Sequence, residues 1–121
     1  MPKVNLEQAL GQIGQHWRPH IVADFNDSKV QVAKFEGDFV WHKHDETDDF
    51  FLVLHGRMLL DLPDETVVLE PGELIVVPRG VEHRPRAVSG EVHVLNLELA
   101  GTVNTGDAAD AGVLTAPEQR L

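Results

Sequence analysis

Two stretches decide the fold of this chain: Phe39-Val40-Trp41-His42-Lys43-His44, and Gly72-Glu73-Leu74-Ile75-Val76-Val77-Pro78-Arg79-Gly80-Val81-Glu82-His83. The first alternates, the period of a half-buried strand. His42 and His44 stand at i and i+2, so on an extended backbone both imidazoles leave the same face and can converge on one ion. In the second, a short apolar strand is closed by Pro78 and Gly80, which set tight turns, and His83 follows at the end of a strand pair. Between them, Asp48 and Asp49 open the dense apolar run 50–54. A His-x-His pair alone carries little weight. A carboxylate and a third histidine at these spacings supply the rest.

Working outward, the residues at 30–35, 39–44, 50–54, 58–62, 66–69, 74–77 and 92–99 read as strands, and Pro63-Asp64-Glu65 as a hairpin turn. Short strands punctuated by Gly and Pro predict an antiparallel sandwich or barrel. Before them, Leu6, Leu10, Ile13 and Trp17 form one apolar stripe and predict a helix over 5–17. Asn5 is its expected N-cap, with Gln8 three residues on as in a capping box, and Pro19 ends the pattern. Residues 101–121 are small, polar and aperiodic: a tail packed over the barrel or a partner, or partly disordered. The expected organisation is all-β, one domain over 1–121, with a core of about 28–100 and one short helix within 1–20.

The composition narrows the function. The 121 residues suffice for one buried core without staples. There is no cysteine, which removes disulfides, thiolate nucleophiles and Cys-based zinc sites. The formal charge is −10, from 20 acidic and 10 basic residues, and such a surface repels a phosphate backbone. No nucleic-acid partner is expected. The N-terminus lacks the apolar core of a signal peptide and no run spans a membrane, so the expected location is cytoplasmic. Seven histidines in a chain of this length invite a search for metal ligands.

The two stretches resemble the paired motifs of the cupins. The first family motif, G-x5-H-x-H-x3,4-E-x6-G, corresponds to Gly37, His42, His44, Asp49 and Gly56. The second, G-x5-P-x-G-x2-H-x3-N, corresponds to Gly72, Pro78, Gly80, His83 and Ala87. The chain is similar to small single-domain cupins of the mannose-6-phosphate isomerase-like group. The resemblance implies a double-stranded β-helix, or jelly-roll barrel, that commonly dimerises. It also implies one divalent metal on His42, His44, Asp49 and His83. Four residues rather than five separate Gly37 from His42, Ala87 replaces the usual Asn, and Asp49 replaces the family Glu. Asp is one methylene shorter, on the order of 1.5 Å of lost reach. Asp49 then either binds through an inward backbone shift or holds a metal-bound water beside three histidines. Asp48 faces the opposite way on a regular strand, and Glu46 is a loop alternative.

Donors of this type suit Zn, Mn, Fe, Ni or Cu. His93 is the candidate acid/base group, weighed against a satisfied structural histidine. Arg79 and Arg84 are candidate docking groups for an anion, weighed against pairing with acidic neighbours. His55 and Phe51 are further candidates to touch a small-molecule substrate. The function expected is a metal-dependent isomerase, lyase or dioxygenase acting on a small, anionic or sugar-like molecule. The alternative is a non-catalytic ligand-binding or sensing cupin. A regulator half is disfavoured, because there is no helix-turn-helix segment and no basic face.

Overall fold

One long strand organises the rest. The computed structural model describes residues 1–108 and 112–121. Along them run α1 (Leu6–Gly11), β1 (His20–Phe25), β2 (Ser28–Asp38), β3 (Asp49–His55), β4 (Met58–Asp61), β5 (Thr66–Leu69), β6 (Leu74–Val77) and β7 (Arg84–Leu99). The strand order is β1-β2-β7-β3-β6, with β4 pairing β5 and β7. All these named pairings are antiparallel. Residues 92–99 of β7 lie between β2 and β3, whereas 84–87 lie between the end of β2 and β4. The register breaks between Phe35 and Gly37, and Gly37 (φ 77°) and Gly90 (φ 112°) take up the bend. A bulge there lets both strands pass from one layer of the jelly roll to the other.

The core fills the space between the layers. Val53, Met58, Leu60, Leu69, Val77 and Val94 are each no more than 2% exposed and belong to one cluster. The hairpin across Pro63-Asp64-Glu65 forms as expected, with Met58 opposite Leu69 and Asp61 opposite Thr66.

The N-terminal helix is shorter than its apolar stripe suggested. It ends at Gly11, and Gln12 caps it. Glycine is a poor helix former, and Gly11 and Gly14 both fall inside the expected span. The stripe is nevertheless buried, but against two different clusters. Leu10 and Ile13 pack on Val32. Trp17 turns into the other cluster with φ 62°, stacked on Phe35 at 4.2 Å and Phe39 at 4.7 Å. Asn5 does cap the helix, its side chain accepting from the Gln8 amide at 2.9 Å.

Three other differences follow from local chemistry. Residues 39–44 do not form a continuous strand; His42 alone bridges, to His83. β1 was not anticipated, because its burial does not alternate cleanly and its register shifts between Ile21 and Ala23. β7 extends back to Arg84 through Pro85, Ser89 and Gly90, residues that signal turns. The described part of the tail packs on the barrel: Thr105 is fully buried, Ala116 is buried, and Ile21 bridges Arg120. Among the described residues no helix is long and apolar enough to cross a membrane.

The outer face of the β6-β3-β7-β2 sheet is apolar over two adjacent rows. Val76, Phe50, Leu97 and Val30 are in register, as are Leu74, Leu52 and Leu95. Leu74 and Val76 are about half exposed, at 54% and 46%.

β4 and β7 are tied by a buried carboxylate. Asp61 accepts from Arg84 Nε at 2.9 Å, Arg86 Nε at 2.7 Å and Thr66 Oγ1 at 2.8 Å. Arg86 and its companions outweigh burial and hold the carboxyl down at about 2. A depressed carboxylate pKa stabilises the fold above the ordinary value and loses that effect as pH falls through the folded value. Asp61→Asn is therefore expected to cost about 2 kcal/mol at neutral pH. The gap from the parent should close as pH falls from about 4 to about 2, read by urea unfolding at each pH.

Candidate metal centre

The site begins with the backbone. His42 N donates to His83 O at 3.0 Å and His83 N donates to His42 O at 2.9 Å. This reciprocal pair sets the two histidines directly opposite each other, and their rings lie 4.4 Å apart. Gly80 N, on the turn before His83, donates to His44 O at 2.8 Å and ties the third histidine to the same turn. Asp49, the first residue of β3, faces inward against Val77 of β6. His42, His44, Asp49 and His83 are all buried, and one donor atom from each lies within 4.8 Å of the others.

The hydrogen bonds around this group orient it for a cation. His42 Nδ1 lies 2.8 Å from Val40 O, and His83 Nδ1 lies 2.9 Å from Val81 O. A carbonyl only accepts, so each Nδ1 carries a proton, and each Nε2 points inward, the atom that a neutral ring offers to a cation. Burial, then the neighbouring His83, pushes His42 down to about 4, so it is neutral at pH 7. His83 Nε2 stands 3.1 Å from Asp49 Oδ2. His44 Nε2 stands 3.4 Å from the same oxygen, buried and without a hydrogen bond. Imidazole lone pairs facing a carboxylate need a positive charge between them. The donor set fits a divalent ion by this test. The shortness of Asp49 does not keep it out: it shares one small volume with all three histidines.

A second layer holds these donors. Asn96 Nδ2 donates to Asp49 Oδ1 at 2.7 Å and to Phe50 O at 3.0 Å. The tail clamps the segment between the first two histidines. Lys43 N donates to Asp107 Oδ1 at 2.7 Å, and Asp107 N donates to Lys43 O at 3.1 Å. Gly106, at φ 53°, lies so close that an added Cβ would stand 2.2 Å from Lys43 O and 3.1 Å from His44 Nδ1.

The group opens on a narrow cavity with one aromatic and one polar side. Trp17, Phe35, Phe39 and Phe51 make the first, and Gln31, Asn96 and Glu98 the second. The space for the centres of water-sized molecules is about 30 Å³, room for two or three waters.

Comparison with known proteins decides the family. The family model described as Cupin domain matches residues 29–98. The chain belongs to the cupins. This cupin is 39% identical over 67 residues to the uncharacterised protein YdbB of Bacillus subtilis, a match covering 54% of the chain and 59% of that protein's length. A cupin-2 domain protein from Shewanella frigidimarina superposes with a TM-score of 0.77 at 36% identity, covering 79% of this cupin and 93% of that chain. A protein from Neisseria meningitidis superposes with a TM-score of 0.74 at 31% identity, covering 82% and 100% of the two chains.

Of the other residues the sequence singled out, only Phe51 lines this cavity. His93 sits on the outer face of β7, because Val92, Val94 and Asn96 take the inward positions. Its Nε2 lies 2.7 Å from Glu91 Oε1, which also removes it from acid/base duty at the metal candidates. A register shift between Val53 and His55 turns His55 outward beside His93, the ring centroids 4.8 Å apart and tilted by 35°. Arg79 pairs with Asp48, and Arg84 pairs with Asp61 and covers Trp41. Neither guanidinium faces the cavity, and the acidic partners are Asp48 and Asp61 rather than Glu82. Gln31, Asn96, Glu98 and Trp17 were missed. Parity on the last strand carried the signal: Asn96 and Glu98 share the face of the buried Val92 and Val94.

Proposed function

We propose that this cupin is a metal-dependent enzyme of the isomerase, lyase or dioxygenase type, acting on a small oxygen-bearing molecule. One observation carries the reading: four buried donors converge beside a cavity with an apolar wall and a polar wall. His42, His44, Asp49 and His83 would hold the ion. A divalent ion there supplies a Lewis acid that polarises a bound oxygen. The chain's own groups do the rest. Val40 O and Val81 O fix the His42 and His83 tautomers, and Asn96 fixes the Asp49 carboxylate. Trp17 and the phenylalanines keep bulk water out and strengthen each electrostatic contact inside.

A non-catalytic ligand-binding cupin is the second reading, and the outward position of His93 favours it, since the expected imidazole base is missing from the cavity. Turnover of any substrate by the metal-loaded protein would exclude that reading.

The metal reading is tested by elemental analysis of protein purified without chelator. The parent should carry close to one divalent ion per chain. His42→Ala/His44→Ala should carry none, and Asp49→Asn should bind about tenfold more weakly. An empty parent, even after reconstitution with Zn, Mn, Fe, Ni and Cu, would remove the enzyme reading.

We also propose a homodimer through the apolar β6-β3-β7-β2 face. The chain carries −10 overall, yet the two apolar rows hold no charged side chain, so this is where two copies meet without repulsion. Leu74→Glu/Val76→Glu should convert a dimer to a monomer in light scattering with the fold intact. A parent that is already monomeric at high concentration would refute it.

A further inference from the structure

Glu98 is the group in the cavity that the protein itself leaves unused. It lines the polar wall and is 5% exposed. Its Oε1 receives Gln31 Nε2 at a long 3.4 Å, and its Oε2 is buried without any partner. A buried unsatisfied oxygen costs stability, and in a native structure it calls for an explanation. A cation is within reach in the fold. Lys29 of β2 stands directly across from Glu98 of β7. Its ammonium turns away instead, to Thr102 O and to Glu118 Oε2, each at 2.9 Å. The tail thus takes the one cross-strand partner and leaves the Glu98 carboxyl open to the cavity.

Glu98 is also wired to the metal candidates. Gln31 Nε2 donates to Asn96 Oδ1 at 2.5 Å, and Asn96 donates to Asp49 at 2.7 Å. Two amide side chains therefore separate Glu98 from the candidate ligand. We propose that Glu98 is a substrate-contacting residue. Its free Oε2 and the His42/His44/Asp49/His83 group form a two-point site for a small hydroxy acid. This rests on the reading of the cavity as the ligand site, and it names the substrate class.

The chemistry of both ends selects that class. Three neutral imidazoles, one carboxylate and a divalent ion sum to a single positive charge, which suits a carboxylate. The free, buried Oε2 of Glu98 accepts the O–H of a substrate hydroxyl, a group that a plain carboxylate ligand lacks. The narrow cavity limits the molecule to a few non-hydrogen atoms, and the aromatic wall takes its carbon face.

Trp17 reports on the cavity directly. Changing Trp41→Phe leaves it as the sole tryptophan. The experiment titrates this Zn-loaded protein with glycolate and with acetate, following Trp17 fluorescence, with Zn content measured on the same samples. Glycolate should bind about tenfold tighter than acetate, the worth of one hydrogen bond to a buried group. Glu98→Leu should abolish that preference with Zn content unchanged, and Glu98→Gln should retain part of it. Glu98→Leu should also raise the Tm by a few degrees, because an unsatisfied buried oxygen is removed. Equal binding of the two acids by the parent, an unchanged preference in Glu98→Leu, or no Trp17 response at all would overturn the proposal. So would a fall in Tm with binding lost in both variants, the mark of a structural residue. If the parent takes up no Zn, the metal reading fails on its own. The Glu98 assignment is then decided on metal-free protein, where Glu98→Leu must still weaken glycolate relative to the parent.

Discussion

Two backbone hydrogen bonds between His42 and His83 hold the centre of this molecule together. They join segments 41 residues apart in sequence, and they do so where no continuous strand exists to impose the pairing. Everything else at the site follows from them. With the two backbones locked face to face, both rings enter the same volume. The i−2 carbonyls of each, Val40 and Val81, then select the tautomer that leaves Nε2 bare. The barrel contributes Asp49 from β3, and Asn96 from β7 braces it. The centre is thus built on rigid strands and closed by one loop pair, the arrangement that holds donors to small tolerances.

Much of this was legible in the sequence because strand parity is a geometric rule. His42 and His44 at i and i+2, and the facing of Asp49 opposite to Asp48, follow from period-two alternation. The turn residues Pro78 and Gly80 place His83. Parity also misleads where a bulge intervenes. His55 shares parity with Asp49, Phe51 and Val53, yet the register shift after Val53 turns it to solvent. The helix was overread for a related reason. Leu10, Ile13 and Trp17 are all buried, but a stripe of buried residues does not require a continuous helix when two glycines interrupt it. A tail packed over the barrel was one of the alternatives the sequence left open, but the contacts it makes were not legible. Gly106, Asp107 and Glu118 act through contacts with Lys43, His44 and Lys29 that no local pattern announces.

The polar interior divides into satisfied and unsatisfied groups. Asp61 is buried and fully engaged by Arg84, Arg86 and Thr66. Among the described residues, His44 Nε2, Glu98 Oε2 and Gln119 Nε2 are buried and unengaged; Glu98 lines the cavity and His44 belongs to the donor group beside it. Glu98 Oε2 opens on the cavity next to a group able to hold an ion, and the proposal that both contact a ligand rests on that placement.

The measurement that bears most directly on this account is X-ray absorption of the Zn-reconstituted protein. A single Zn environment with three imidazole nitrogens at about 2.0–2.1 Å and a carboxylate oxygen at about 2.0–2.2 Å, lost in the His42→Ala/His44→Ala variant, is the result expected. A spectrum with fewer than three imidazoles, or one unchanged by that double substitution, would contradict the claim that His42, His44, Asp49 and His83 share one ion.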